Sequence, residues 1–347
     1  MRRFWCDCGH PLFFESIQCT RCGEDVGYDP ESADMVTLKG ASRIGSLFTS
    51  AGDYQYCQNG LDYKVCNWLV RSDQSGSLCK GCSFNRTIPD LSKPVNIKRW
   101  HRFEQAKKRL FYSLISLKLP LKNGWEDSEK GLLFDFMEDK RSNPVLVESF
   151  VSTGYLSGII TINALEADDI AREAAKHKMN ESYRTMLGHL RHESGHYFYS
   201  FLGQFPDLQD EFVNLFGDAS QDYQKALDRY YALGPIERWS DYYISNYASC
   251  HPLEDWAECW SHYQHLTDTL ETAGAYQMVP EQVHPEDFRS LANQWRSFAV
   301  ALNELNRSIG LSDAYPFVIT QTIERKLAFV GKVVKRVGQG LPEAVVH

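Results

Sequence analysis

The chain has 347 residues, 43% hydrophobic and 13% aromatic, with a formal net charge of −8. That is enough apolar material for one large domain with smaller ones attached, and it excludes a disordered chain. The charge is uneven, with 17 Lys+Arg against 12 Asp+Glu in residues 1–120 and 20 against 33 in the rest, so an acidic body repels phosphate backbones while a basic front can still hold them.

The opening MRRFWCDCGH lacks the apolar core of a secretory signal. No stretch approaches the roughly 20 apolar residues of a membrane span. A cytoplasmic protein without membrane contact is expected. Eight of the ten cysteines lie in the first 82 residues. In a reducing compartment, tight cysteine spacings favour metal over disulfides.

In residues 1–30 the pairs Cys6/Cys8 and Cys19/Cys22 flank a short strand at 12–14, and each pair is followed by a glycine. Two such turns around a hairpin make a zinc ribbon, with four thiolates on one structural Zn²⁺. Two disulfides, or iron on the same four sulfurs, are the alternatives. Residues 31–95 bring Cys57, Cys66, Cys79 and Cys82, a second structural zinc module with the polar run 71–77 as an exposed loop.

Residues 97–117 place Trp100, Phe103, Ala106, Leu110, Leu114 and Leu117 at spacings of three and four, which predicts an amphipathic helix. Its charged positions include Lys98, Arg102, Lys108 and Arg109. They form either a solvated face or a contact for nucleic acid. The β-branched GIITIN at 158–163 predicts a strand, and 164–178 a helix. Residues 179–203 then read as one long helix, with Asn180 as N-cap and Gly203 at its end. Further helices are expected in QDYQKALDRYYALG, EDWAECWSHYQHLTDTL, PEDFRSLANQWRSFAVALNELNRS and TIERKLAFVGKVVKRVG.

The helix at 179–203 contains HESGH. Positions i and i+4 share a helix face, so His192 and His196 can aim imidazole nitrogens at one point, with Glu193 beside them. Two neutral histidines then hold a metal while the glutamate takes a proton from bound water. The plainer alternative is two histidines making ordinary hydrogen bonds. Hydrolytic zinc needs a third protein ligand. In residues 246–265, Pro252 can open a helix carrying Glu254, Glu258 and His262 at successive steps of four. The helix face alone does not choose among them.

HExxH followed by a helix with ExxxE is similar to the gluzincin class. There the first glutamate binds zinc and the second acidic residue orients the first motif histidine. The pattern Tyr247-x6-Glu254-Asp-Trp-Ala-Glu258 is also similar to the metal site of anthrax lethal factor and its relatives, where a tyrosine seven residues before the glutamate ligand points at the scissile bond. Over nearly its full length the chain resembles a bacterial family of zinc-binding metallopeptidases with an N-terminal zinc ribbon. The resemblance rests on the two cysteine clusters, RHESGHYFY, FGD at 216–218, SNYASCHPLEDWAE and NELNRSIGLSDAYPFV.

The resemblance implies His192, His196 and Glu254 as ligands of a catalytic zinc, Glu193 as general base, Glu258 supporting a ligand, and Tyr247 as oxyanion donor. It implies peptide hydrolysis on protein or peptide substrates. In zincin folds an edge strand beside the active-site helix pairs with extended substrate. GIITIN is expected to be that strand or an ordinary buried one. Cys250 and Cys259 are assigned no chemistry, as small buried hydrophobes. The expected architecture is α+β and mainly helical: a ribbon at 1–30, a second cysteine module at 31–95, and a zincin-like domain at 96–347. One catalytic and two structural zinc ions follow. Two other readings remain: a protease docked to nucleic acid through its ribbon and basic helix, and a non-catalytic protein whose zinc modules bind another protein.

Overall fold

The computed structural model describes residues 1–347 except 40–42, 45–46, 49–52, 75–76, 180, 182, 281–287 and 341–347. The front of the chain is built from short antiparallel pairs. β1 (Phe4–Trp5) pairs with β2 (Pro11–Leu12), β3 (Asp25–Asp29) with β4 (Asp34–Leu38), β5 (Arg43–Ile44) with β6 (Leu47–Phe48). β7 (Tyr54–Tyr56) pairs with β8 (Leu69–Arg71) around helix α1 (Gln58–Tyr63). The strand expected at 12–14 ends at Leu12, because Phe13 opens a turn in which its carbonyl accepts from Ser16 N at 3.0 Å and its N–H donates to Ser16 Oγ at 3.0 Å.

Helix α2 (Pro94–Ser116) matches the amphipathic segment, and its face of Trp100, Phe103, Leu110 and Leu114 is buried. Part of its basic side is consumed internally. Arg99 pairs with Asp168, Arg102 with Asp169 and Arg109 with Glu15, while Lys107 and Lys108 are buried against Glu104.

Under α2 lies a four-stranded mixed sheet of order β11-β12-β10-β9: Gly154–Leu156, Ile159–Asn163, Leu133–Met137 and Asn85–Thr87. β10 runs parallel to both β12 and β9, and β11 is antiparallel to β12. GIITIN is therefore the buried alternative, because its strand has β10 on one side and β11 on the other. The edge belongs to β11, which the sequence analysis did not foresee. A turn with Ser157 and Gly158 both at positive φ folds β11 back onto β12.

The remaining helices are α3 (Asp169–Met179), α4 (Met186–Tyr199), α5 (Pro206–Phe216), α6 (Tyr223–Leu233), α7 (Pro252–Ala275), α8 (Phe288–Ser308) and α9 (Gln321–Gly338). The single helix expected over 179–203 is not formed. α3 ends at Met179, α4 starts after Thr185, and a 3₁₀ turn spans Ser200–Gln204. The Asn180 cap lies outside the described residues. Thr185 caps α4 instead, its hydroxyl accepting from Gly188 N at 2.9 Å. Among the described residues, no helix is long and apolar enough to cross a membrane.

Candidate active site and metal centres

Each cysteine set converges in space. The four Sγ atoms of Cys6, Cys8, Cys19 and Cys22 lie within 4.8 Å of one another, as do those of Cys57, Cys66, Cys79 and Cys82. Measured pairs are 3.6 Å for Cys6–Cys22, 3.7 Å for Cys8–Cys19 and 3.6 Å for Cys66–Cys79. A disulfide needs about 2.05 Å. A tetrahedron with Zn–S bonds of about 2.3 Å has edges of about 3.8 Å, so the spacing fits a four-thiolate metal site. Backbone amides support the second set, with Trp68 N donating to Cys66 Sγ at 3.4 Å and Cys79 N to Cys57 Sγ at 3.3 Å. The two sets differ in setting. The first leaves Cys8 and Cys22 at the surface, and the second is wholly buried.

The third cluster stands where α4 crosses α7. His192 and His196, one turn apart on α4, have ring centroids 5.1 Å apart. The two residues between Glu193 and His196 make the crossing possible. Ser194 Oγ accepts from Trp260 Nε1 at 3.0 Å, and the Gly195 carbonyl accepts from Trp256 Nε1 at 2.8 Å. A Cβ on Gly195 would stand 2.9 Å from Ala257 Cα, so only glycine lets α7 approach this closely.

α7 opens with Pro252 in its first turn and His251 as N-cap, whose Nδ1 accepts from Leu253 N at 3.1 Å. That start puts Glu254 in the first turn, where the helix dipole favours a carboxylate. Its Oε2 meets His192 Nε2 at 2.9 Å and its Oε1 meets His196 Nε2 at 3.3 Å. One turn on, Glu258 Oε1 meets His192 Nδ1 at 2.7 Å. His262, the next step, is elsewhere: its Nδ1 pairs with Tyr315 Oη at 2.8 Å and its ring packs on Phe317. The three candidates on one helix face are thus separated by what each one faces.

Electrostatics follow from burial. Glu254 is 1% exposed. Burial alone would raise its pKa, but His196 and His192 hold it well below the usual carboxylate range. Burial likewise opposes a charged His192, while Glu254 and Glu258 push it strongly up. Burial, which outweighs the opposing charge of Glu258 and is helped by His192 and Arg191, brings the pKa of His262 down to about 4. A buried carboxylate costs several kcal/mol unless a positive charge meets it. No Lys or Arg pairs with Glu254 among the described residues, so two imidazoles and a carboxylate form a donor set suited to a cation such as Zn²⁺. Glu193 is buried, and a carboxylate oxygen of it lies within 4.8 Å of a nitrogen of each histidine.

A family model described as "Putative zinc-binding metallo-peptidase" matches residues 96–333, and one described as a zinc-ribbon domain matches residues 3–93. The chain belongs to this zinc-binding metallopeptidase family. Relatives in Mycobacterium bovis and in two strains of Mycobacterium tuberculosis are each 37% identical over 346 residues, covering 97% of this chain and 96% of their own, and are described as uncharacterized proteins. No solved structure matches it.

Tyr247 sits on a 3₁₀ turn just before α7, its ring 6.0 Å from that of His192 and 5.7 Å from that of Tyr230. Burial and then Glu254 keep its hydroxyl protonated well above the ordinary pKa. From the edge strand, Tyr155 lies nearly parallel to His196, with centroids 6.4 Å apart and planes at 14°. Cys259 is buried against Asp255, and Cys250 lines a cavity of about 580 Å³ between α6 and the start of α7.

One residue at the site escaped sequence reasoning altogether. Tyr223, the first residue of α6, donates its hydroxyl to Glu254 Oε1 at 2.6 Å. It stands 31 residues before Glu254 on another element, and no motif or periodicity ties the two.

Proposed function

We propose that the protein is a zinc-dependent endopeptidase that hydrolyses peptide bonds in protein or peptide substrates. The observation that carries this reading is the buried Glu254 carboxylate, which faces the Nε2 atoms of both HExxH histidines. In this reading His192, His196 and Glu254 hold the catalytic ion. Glu258 fixes the orientation and tautomer of His192 through its Nδ1. Zinc bound there supplies a Lewis acid that polarises the scissile carbonyl and brings the pKa of a water toward about 7.

Glu193 accepts the proton from the attacking water and later delivers it to the leaving amine. Tyr247 donates a hydrogen bond to the oxyanion that develops on the carbonyl. The open edge of β11, beside His196, gives extended substrate a backbone to pair with. The two cysteine sets hold structural zinc, for a total of one catalytic and two structural ions. Cysteine sulfurs gathered in fours at metal spacing suit a reducing, cytoplasmic setting.

Nucleic-acid docking through the basic helix is not favoured by any particular contact, because Arg99, Arg102, Lys107, Lys108 and Arg109 of α2 are each paired with a carboxylate. The deciding experiment is zinc per chain by elemental analysis on wild type and on His192→Ala/His196→Ala. Three ions falling to two supports the proposal. Two ions in both would leave HESGH as an ordinary hydrogen-bonded pair, and a protein-binding role for the zinc modules would replace the enzyme.

A further inference from the structure

Helix α6 reaches over the cluster with little apolar attachment. None of its residues is buried, and Tyr231 and Leu233 are 62% and 78% exposed. Tyr230 meets Tyr247 edge-on at 5.7 Å, and the polar ties are in the first turn. Asp222 caps it by accepting from Lys225 N at 3.0 Å, and the Gln221 carbonyl accepts from His251 Nε2 at 3.2 Å. The Tyr223 ring meets the His251 ring edge-on at 5.1 Å, and the Tyr223 hydroxyl reaches Glu254 Oε1 at 2.6 Å. Packing does not explain a short hydrogen bond from a 39% exposed tyrosine to a 1% exposed carboxylate.

We propose that Tyr223 is a positioning residue for the metal, holding Oε1 of Glu254 so that the carboxylate meets the ion in one fixed orientation. This rests on the reading of Glu254 as a ligand. Its oxygens face three groups: His192 Nε2, His196 Nε2 and Tyr223 Oη. Once both imidazoles give Nε2 to a metal, neither can donate to Glu254. Tyr223 is then the remaining side-chain donor to it among the described residues.

A buried carboxylate with no such donor can rotate, or take the ion with both oxygens. With Oε1 engaged by the phenol, ligation falls to Oε2, the oxygen already facing His192 Nε2 at 2.9 Å. One-oxygen ligation leaves the metal a coordination position for water and substrate, which a catalytic zinc site requires. Partners of this kind that orient ligands contribute about 10- to 100-fold in metal affinity.

The test is zinc binding by chelator competition on the full chain, comparing wild type, Tyr223→Phe and Tyr231→Phe, with melting of the chelator-treated proteins alongside. The expected result is that Y223F binds zinc at the histidine site about 10- to 100-fold more weakly, keeps its cysteine-bound zinc, and melts like wild type without metal, while Y231F matches wild type throughout. Equal affinity in Y223F and wild type overturns the proposal. So does a lowered melting temperature of metal-free Y223F, which would make Tyr223 a folding residue. If wild type itself binds only two ions, the ligand role of Glu254 fails, a failure distinct from either of these.

Discussion

Glu193 and Glu254 are both buried glutamates beside His192, yet their neighbours hold them differently. Glu254 is locked by two imidazoles and a phenol, whereas Glu193 lies near the same nitrogens and makes no side-chain hydrogen bond among the described residues. A ligand must be held and a general base must stay available to a proton. Glu193→Gln is therefore expected to keep all zinc while peptide cleavage falls by about 10²- to 10⁴-fold. Zinc content measured beside turnover of a peptide library checks this, and loss of metal from E193Q would count against the assignment. In the proposed role of oxyanion donor, Tyr247→Phe should lower kcat by about 10²- to 10³-fold with KM little changed. Equal kcat in the variant would return Tyr247 to a packing role. Much of this site was legible in the chain. Histidines four apart share a face by helix geometry alone, and Pro252 with the spacing of Glu254, Glu258 and His262 announced the facing helix. Sequence could not rank those three, because the ranking depends on where α7 crosses α4. Tyr223 was invisible because its partner is reached only through the tertiary fold.

The crossing of α4 and α7 is set by small atoms. At Gly195 an added Cβ would meet Ala257 Cα at 2.9 Å and Trp260 Cβ at 3.1 Å. Gly195→Ala improves helix propensity by up to about 1 kcal/mol. Overpacking against backbone costs about 1–3 kcal/mol, so the variant should melt lower and bind zinc at the histidine site more weakly. A raised melting temperature with intact zinc would show that the helices can move apart without loss. A second fastening sets the start of α4. Glu166, on the turn after β12, pairs with Arg184 just before the helix, and with His189 at 3.4 Å. Burial opposes its charge, but His189 and Arg184 bring its pKa down to about 2. A carboxylate depressed on folding adds stability above its unfolded pKa of about 4.3. That contribution, absent in Glu166→Gln, is lost as pH falls from about 4.3 toward 2. Wild type should therefore lose its stability margin over E166Q across that window; a margin unchanged by pH would contradict the pairing. The same contacts explain why 179–203 read as one helix. Its composition suits a helix throughout, but Arg184 is drawn to Glu166 and Glu181, and Thr185 caps a new start. The place of β12 stayed open for a related reason: a β-branched run marks a strand, and only its neighbours decide whether it lies at an edge.

At the scale of the molecule, the cysteine modules and the helical domain share one hydrophobic core. Phe14 and Tyr28 of the ribbon pack on Tyr112 of α2, at 5.6 and 6.4 Å, and Trp68 packs on Phe111 at 6.5 Å. Beside the second cysteine set, Glu104 of α2 lies 3.6 Å from Cys82 Sγ and pairs with Lys107 at 2.9 Å and Lys108 at 3.4 Å. Burial opposes the charge of Lys108, yet negative charge on the sulfurs of Cys66 and Cys82, and then on Glu104, keeps its pKa well above the ordinary range. Two lysines at such a site suit a metal held by four thiolates, whose net charge is about −2 with Zn²⁺. Removing residues 1–95 would expose Phe111 and Tyr112 and strand these charges beside water. Each large apolar side chain uncovered costs about 1.5–3 kcal/mol, against a whole-domain stability of about 5–15 kcal/mol. Residues 96–347 alone are therefore expected to lack a cooperative fold, and Cys79→Ser to destabilise the helical domain as well as release its zinc. Thermal unfolding followed by far-ultraviolet circular dichroism checks both. A fragment 96–347 that melts cooperatively near the wild-type temperature would show instead that the cysteine modules are detachable, and would reopen the idea that they dock an independent peptidase to nucleic acid.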